Sequence, residues 1–276
     1  MAAVEPLAHT CTLIMGACNV TPDSFYDGGK FSSAEAAADQ VRLLAEDGAD
    51  IIDIGGESSR PGSDPVSTDE EQARVFPVLD NLSESNLKLS VDTYHAETAR
   101  GALARGVTMI NDITALRGDP EMASVVAEAN CDCVLMHMQG DPKRMQDAPR
   151  YTDVVDDVCA FFEERITFAA SSGIREDRIW IDPGFGFGKT VGHNLELLRR
   201  LEEFGQFGRP ILIGTSNKST IGAVLDLPVN DRAEGTAATV AAAVLNGADA
   251  IRVHDVKSMK RVAAMADAIA GKKRYE

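Results

Sequence analysis

Short apolar runs alternate with longer stretches of helical spacing along almost the whole chain, and nearly every apolar run ends in a polar side chain. Leu13-Ile14-Met15 leads to Asn19, Ile51-Ile52 to Asp53 and Glu57, Leu89-Ser90-Val91 to Asp92, and Met109-Ile110 to Asn111. Later runs lead to His137, to Asp182, to Lys218 and to the pair Arg252/His254. Short apolar runs bounded by turn residues read as buried strands, and the intervening stretches as amphipathic helices, giving about eight strand–helix units. A helix is expected from about residue 33 to residue 47 with Gly48 as its stop, and another starts at Ser67-Thr-Asp-Glu70, where the serine can cap the helix amides. Further strands are expected near 87–91, 108–110, 133–136, 178–181, 211–213 and 250–253. Two loops rich in glycine, proline and acidic residues stand out, one after Met15 and one from Gly55 past Gly62.

Regular βα alternation requires parallel strands, because each helix carries the chain back to the start of the next strand. The pattern predicts a single-domain α/β fold over residues 1–276, a (β/α)8 TIM barrel, whose active site lies at the carboxyl ends of the strands. The polar strand ends then form one ring around the barrel mouth. A doubly wound open sheet is the alternative, but its ligand crevice needs no polar group after nearly every strand.

Composition narrows the function. A formal net charge of -16 argues against a nucleic-acid surface, which needs clustered Lys and Arg, while a small anionic substrate needs only a local basic pocket. The five cysteines, Cys11, Cys18, Cys131, Cys133 and Cys159, contain no CxxC pair and read as reduced thiols, not as a disulfide or zinc framework. The acidic start carries no signal-peptide pattern, and no apolar run reaches the ~18 residues of a membrane span. A cytoplasmic protein without membrane or nucleic-acid partners is expected.

The strand-end residues suggest a ligand. Gly184-Phe-Gly-Phe-Gly-Lys-Thr190 has the wrong spacing for a nucleotide phosphate loop. Asp92 and Asp182 could each merely cap a turn, but with Asn111 and Lys218 on the same rim they suit a flat, donor-rich heterocycle. A carboxylate accepts two hydrogen bonds from a ring N–H and its neighbouring NH2, as on the guanidine-like edge of a pterin. An amide meets a mixed edge, and a lysine donates to a ring carbonyl. Asn19, Arg252 and His254 form a second group able to hold an anion.

Seven segments carry a specific resemblance: Asn19-Val-Thr-Pro-Asp-Ser-Phe25, Asp53-Ile-Gly-Gly-Glu-Ser-Ser-Arg-Pro-Gly62, Val91-Asp-Thr-Tyr94, Asn111-Asp-Ile113, Asp182-Pro-Gly-Phe-Gly-Phe-Gly-Lys189, Lys218-Ser219 and Arg252-Val-His254. In this order they resemble the dihydropteroate synthases, which join p-aminobenzoate to a dihydropterin pyrophosphate. The resemblance implies that Asp92, Asn111, Asp182, Lys218 and Arg252 bind the pterin. It assigns the pyrophosphate to Asn19, Arg252 and His254, with Asn19 also touching Mg2+. Phe25, Ser59, Arg60, Pro61, Phe187 and Ser219 would form the aminobenzoate site, and Asp27 would support the cationic methylene. Asn19, Asp27, Arg60, Lys218, Arg252 and His254 are the implied catalytic groups, and a homodimer through barrel helices is the implied assembly.

Two departures bear on aminobenzoate more than on pterin. Where the family usually reads Ser-Arg-Lys-Ser, this chain has Ser216-Asn217-Lys218-Ser219, and Ser59 replaces the commoner threonine. Related pterin-binding methyltransferase domains place an asparagine near this region, so methyl transfer is the alternative chemistry. A non-catalytic pterin-binding protein is the alternative of another class. The intact second loop and Arg252-Val-His254 favour the synthase.

Overall fold

The computed structural model describes residues 11–21, 30–58 and 62–272, the side chains of 30–33 excepted. Eight parallel strands, β1 (Leu13–Asn19), β2 (Ile51–Gly55), β3 (Leu89–Asp92), β4 (Met109–Asp112), β5 (Asp132–Met136), β6 (Ile179–Asp182), β7 (Leu212–Ile213) and β8 (Ala250–Val253), are paired in the order β6-β5-β4-β3-β2-β1-β8-β7. A parallel bridge between Ile181 and Ile211 joins the two edges, so the sheet closes on itself as the expected (β/α)8 barrel. The surrounding helices are α1 (Lys30–Glu46), α2 (Thr68–Asp80), α3 (Ala96–Leu103), α4 (Met122–Ala129), α5 (Val154–Ser171), α6 (Val191–Arg199), α7 (Ser219–Leu225), α8 (Ala233–Leu245) and α9 (Val256–Ile269). One helix per strand was the expectation; β7 is instead followed by two, α7 and α8.

The start of α2 follows from its sequence. Ser67 is extended, and its hydroxyl accepts from the Glu70 amide at 3.3 Å, while Asp69, Glu70 and Glu71 place negative charge on the positive end of the helix dipole.

The two-residue period of the strands sorts side chains into two cores. Ile14, Ile52, Val91, Ile110, Leu135, Ile181, Ile213 and Ile251 point outward and pack with the helices. Burying each such side chain stabilises by about 1.5–3 kcal/mol. Met15, Ile51, Met109, Val134, Trp180, Leu212 and Ala250 fill the inside of the barrel as a separate cluster. Two residues further along the same strands, on the same inward face, stand Asp53, Asn111, Asp182 and Arg252. The barrel is thus plugged by apolar side chains, and its polar layer lies directly above that plug, at the carboxyl ends. All five cysteines are free thiols, and no helix among the described residues is long and apolar enough to cross a membrane.

Candidate active site

Asp53 organises the mouth. It is fully buried and accepts from Ser90 Oγ at 2.6 Å, Asn111 Nδ2 at 3.0 Å and Arg252 Nε at 2.7 Å. The other arm of Arg252 donates to Asp92 Oδ2 at 3.2 Å. Three expected pterin residues, Asp92, Asn111 and Arg252, are therefore joined through a fourth that was noted only as a strand end. Its signal was available: Asp53 lies two residues beyond Ile51, and Ser90 two before Asp92, on the inward face.

Asp182 closes the same layer from β6. Its Oδ1 accepts from the Gly184 amide at 2.7 Å, while the carboxylate is largely removed from water. Burial pushes it up to about 6, opposed by the Gly184 hydrogen bond and by Lys218, Lys189 and Arg252. Asp92 is likewise pushed up by burial, with Arg252 pulling the other way and Asp53, Glu71 and Asp112 adding to the rise. Burial disfavours the Arg252 charge, but Asp53 and Asp92 outweigh it and its pKa is raised. The mouth is therefore a layer largely removed from water in which opposite charges already face one another, with Arg252 and Asp92 at its partly exposed rim.

Lys218 reaches over the Phe187 ring, its Nζ 4.1 Å from the ring centroid, so an expected pterin residue and an expected aminobenzoate residue adjoin. Ser219 is the first residue of α7. His254 stands at the end of β8, its Nδ1 2.9 Å from Ser216 Oγ, which also accepts the His254 amide at 3.4 Å. Asn19 ends β1, and its Oδ1 lies 3.7 Å from where a side chain on Gly55 would begin. Phe25, Asp27, Ser59, Arg60 and Pro61 lie outside the described residues. The chain beside the second loop is held by neighbours: Tyr94 donates to Glu57 Oε1 at 2.8 Å, and the Gly62 amide donates to Pro142 O at 3.0 Å.

The unusual Asn217 has a backbone explanation. Its φ is 57°, in the left-handed region where asparagine is several-fold enriched over most residues. Its side chain turns toward Thr236 on α8, 3.5 Å from that hydroxyl. That contact lies on the helix layer and gives no support to the methyltransferase alternative.

The arrangement can bind a flat ligand by its edge, with acceptors on one side, a lysine opposite and donors for an anion at β1 and β8. The profile of the pterin binding enzyme family matches residues 15–254. The chain belongs to the dihydropteroate synthase family. A Bacillus subtilis dihydropteroate synthase is 47% identical over 262 residues, covering 95% of this chain and 90% of that one. The Yersinia pestis dihydropteroate synthase, solved with a sulfonamide drug, superposes with a TM-score of 0.90 at 40% identity over 95% of each chain. A Xanthomonas albilineans dihydropteroate synthase in complex with 7,8-dihydropteroate gives a TM-score of 0.85 at 41% identity over 94% of each chain. As a member of that family the chain is a transferase, and its barrel matches the family's fold along nearly its whole length.

Proposed function

We propose that this protein condenses 6-hydroxymethyl-7,8-dihydropterin pyrophosphate with p-aminobenzoate, releasing 7,8-dihydropteroate and pyrophosphate. The observation that carries the reading is the layer of buried Asp53, Asn111 and Asp182 with half-buried Asp92 and Arg252, beside Lys218, in a chain of this family. Asp182 offers its second oxygen to the ring N–H and NH2 of the pterin, Lys218 donates to the ring carbonyl, and Asp92 and Asn111 take the remaining edge.

The C–O bond from the pterin methylene to the pyrophosphate breaks with its electron pair on the leaving oxygen, and the aniline nitrogen supplies the pair for the new C–N bond. The nitrogen then loses a proton. Little covalent work falls to the protein. Arg252, His254 and Asn19 stabilise the leaving anion, and the dry mouth limits capture of the methylene by water. Asp27 and Arg60 complete the catalytic set from the two loops, with Phe25, Ser59, Pro61, Phe187 and Ser219 forming the aminobenzoate pocket.

Asn19 suits Mg2+. The ion takes hard oxygen donors and commonly keeps one protein ligand beside substrate phosphates and water, and Asn19 brings one amide oxygen to the end of β1. Bound there with the pyrophosphate, Mg2+ supplies charge neutralisation of the leaving group. A homodimer is the proposed assembly, supported by the exposed apolar side chains of Val224 and Leu225 at the end of α7 and Leu245 at the end of α8, which a second copy would cover. The cytoplasm is the proposed location.

The test is direct. The purified protein, given the dihydropterin pyrophosphate, p-aminobenzoate and Mg2+, forms dihydropteroate and pyrophosphate in equal amounts. Pterin binding without product would make it a binding protein, and methyl transfer from a methylated reduced pterin to a corrinoid would make it a methyltransferase; either result overturns the proposal.

A further inference from the structure

The glycine-rich segment after β6 is pressed against the segment after β5, backbone to backbone. A side chain on Gly184 would begin 1.9 Å from His137 O, and one on Gly188 2.6 Å from Gln139 O. Gly184 and Gly188 also have φ of 70° and 61°, so glycine is required there on both counts. Such an approach crowds carbonyl groups together away from water, and each needs a donor.

Lys189 provides it. The side chain is buried, and its Nζ lies 2.9 Å from His137 Nδ1, 3.0 Å from Gly184 O and 3.0 Å from Phe187 O, with His137 O at 3.4 Å. An ammonium has three protons, and three close acceptors surround it. Burial pushes Lys189 down to about 7, with Lys218 adding to the fall and Asp182 opposing it. The acceptors act in the other direction, since a neutral amine would turn its lone pair toward one of them. His137 fits the same assignment: burial first, then Lys189 and Arg117, push it down to about 2, so it stays neutral and its Nδ1 accepts. The ammonium is the charged state that this geometry satisfies.

The carbonyls it holds belong to the residues that shape the site. Gly184, gripped at its oxygen, donates its amide to Asp182 Oδ1 at 2.7 Å. Phe187, gripped at its own oxygen, donates its amide to Gly184 O at 3.0 Å and carries the ring beneath Lys218. Two side chains from the segment after β5 finish the attachment: Gln146 donates to Gly186 O at 2.8 Å and Tyr151 to Gly188 O at 2.7 Å.

We propose that Lys189, seated on His137, is a positioning residue for the pterin carboxylate. It acts through Gly184 and Phe187 to aim Asp182 and the ring beside it, and it sets a buried positive charge behind Asp182. The assignment rests on the pterin-binding reading of Asp182. Facing Asp182 besides Lys189 are Lys218 beyond β7 and Arg252 on β8, both unchanged when Lys189 is replaced. Around Lys189 itself stand His137, the Tyr151 ring at 6.0 Å and His193.

The experiment replaces Lys189→Met, which keeps length and removes the charge, beside His137→Leu, which removes one acceptor and leaves the ammonium in place. Pterin affinity is measured by calorimetry across pH, the KM values of both substrates by steady-state assay, and folding by thermal melt. Wild type must first form dihydropteroate; if it does not, the function fails rather than this assignment. In Lys189→Met the pterin dissociation constant rises by about tenfold or more, the scale of losing hydrogen bonds to a charged group. The acid limb of pterin binding also moves to higher pH, because Asp182 loses a neighbouring cation. In His137→Leu affinity falls by a smaller factor and the limb stays near its wild-type position. A folded Lys189→Met protein with unchanged pterin affinity and unchanged acid limb overturns the proposal. Should Lys189→Met not fold, an unaltered pterin affinity in His137→Leu does so.

Discussion

Replacing Asp182→Asn separates what the pterin carboxylate does for the ligand from what it costs the fold. The carboxyl is buried and sits at about 6 instead of its ordinary 3.8, so its charged form is less favourable in the folded protein than in the unfolded chain. The destabilisation is absent below the unfolded value, grows as pH rises, and is complete above about 6. A displacement of this size corresponds to on the order of 3 kcal/mol at neutral pH. Asparagine removes that burden while keeping an oxygen for the Gly184 amide, now 2.7 Å from Oδ1. The ligand-free variant therefore unfolds at the same or higher denaturant concentration, with a gain of about 1–2 kcal/mol after loss of the charge-assisted bond. Against the pterin the effect reverses, since an NH2 group faces ring donors. Affinity falls by about 1–3 kcal/mol, roughly fivefold to more than a hundredfold. Wild-type binding itself weakens as pH falls through about 6, and this limb is absent in the variant. Calorimetry across pH and urea unfolding measure the two sides. A folded variant that binds pterin as wild type does would make Asp182 a turn residue and refute the reasoning.

Asp53→Asn weakens the hub beneath Arg252 and Asn111, and the loss is on the order of 3 kcal/mol in unfolding free energy, with pterin affinity falling alongside; unchanged chemical denaturation would show that Arg252 is held by Asp92 alone. Asn217→Arg puts a branched-out cation on a left-handed residue, lowering stability by about 1 kcal/mol while modestly reducing KM for p-aminobenzoate at low salt only. Asn217→Gly leaves the melting temperature nearly unchanged, and a large drop there would mean that the contact with Thr236, not the backbone, selects asparagine. Removing divalent cations with a chelator stops turnover but leaves binding of pterin lacking its pyrophosphate intact, as followed by calorimetry; simultaneous loss of both would refute the placement of Mg2+ at the leaving group.

The barrel was legible because each strand carries its own instructions: an apolar residue for the plug, another for the helices, then a polar one for the mouth. Asp92, Asn111, Asp182 and Arg252 were readable from that alternation as a ring. What the alternation does not encode is pairing across the barrel. Asp53 looked like one more strand end, although Ser90, Asn111 and Arg252 from three other strands converge on it. Lys189 was hidden differently, since a lysine after glycines suggests phosphate binding, while here its donors turn back into the backbone that carries it. The second helix after β7 was missed because one helical stretch was expected per strand, although Pro228 in Leu227-Pro-Val-Asn-Asp231 signals a break; α7 stops at Asp226, whose φ of 56° is left-handed, and α8 begins at Ala233.

The closure of the barrel has a consequence of its own. The strand β7 has two residues, and its neighbour β6 meets the chain just before it at the isolated bridge from Ile181 to Ile211. Every other neighbouring pair shares a longer ladder, so this junction is the place where the cylinder opens with least effort. Asp182 stands at the end of one lip, and Lys218 follows the other. A pterin held between them acts as a clasp across the slit, so among the strand amides of the barrel those around Ile181 and Ile211 exchange with deuterium soonest in the empty protein and slow most when the ring is bound.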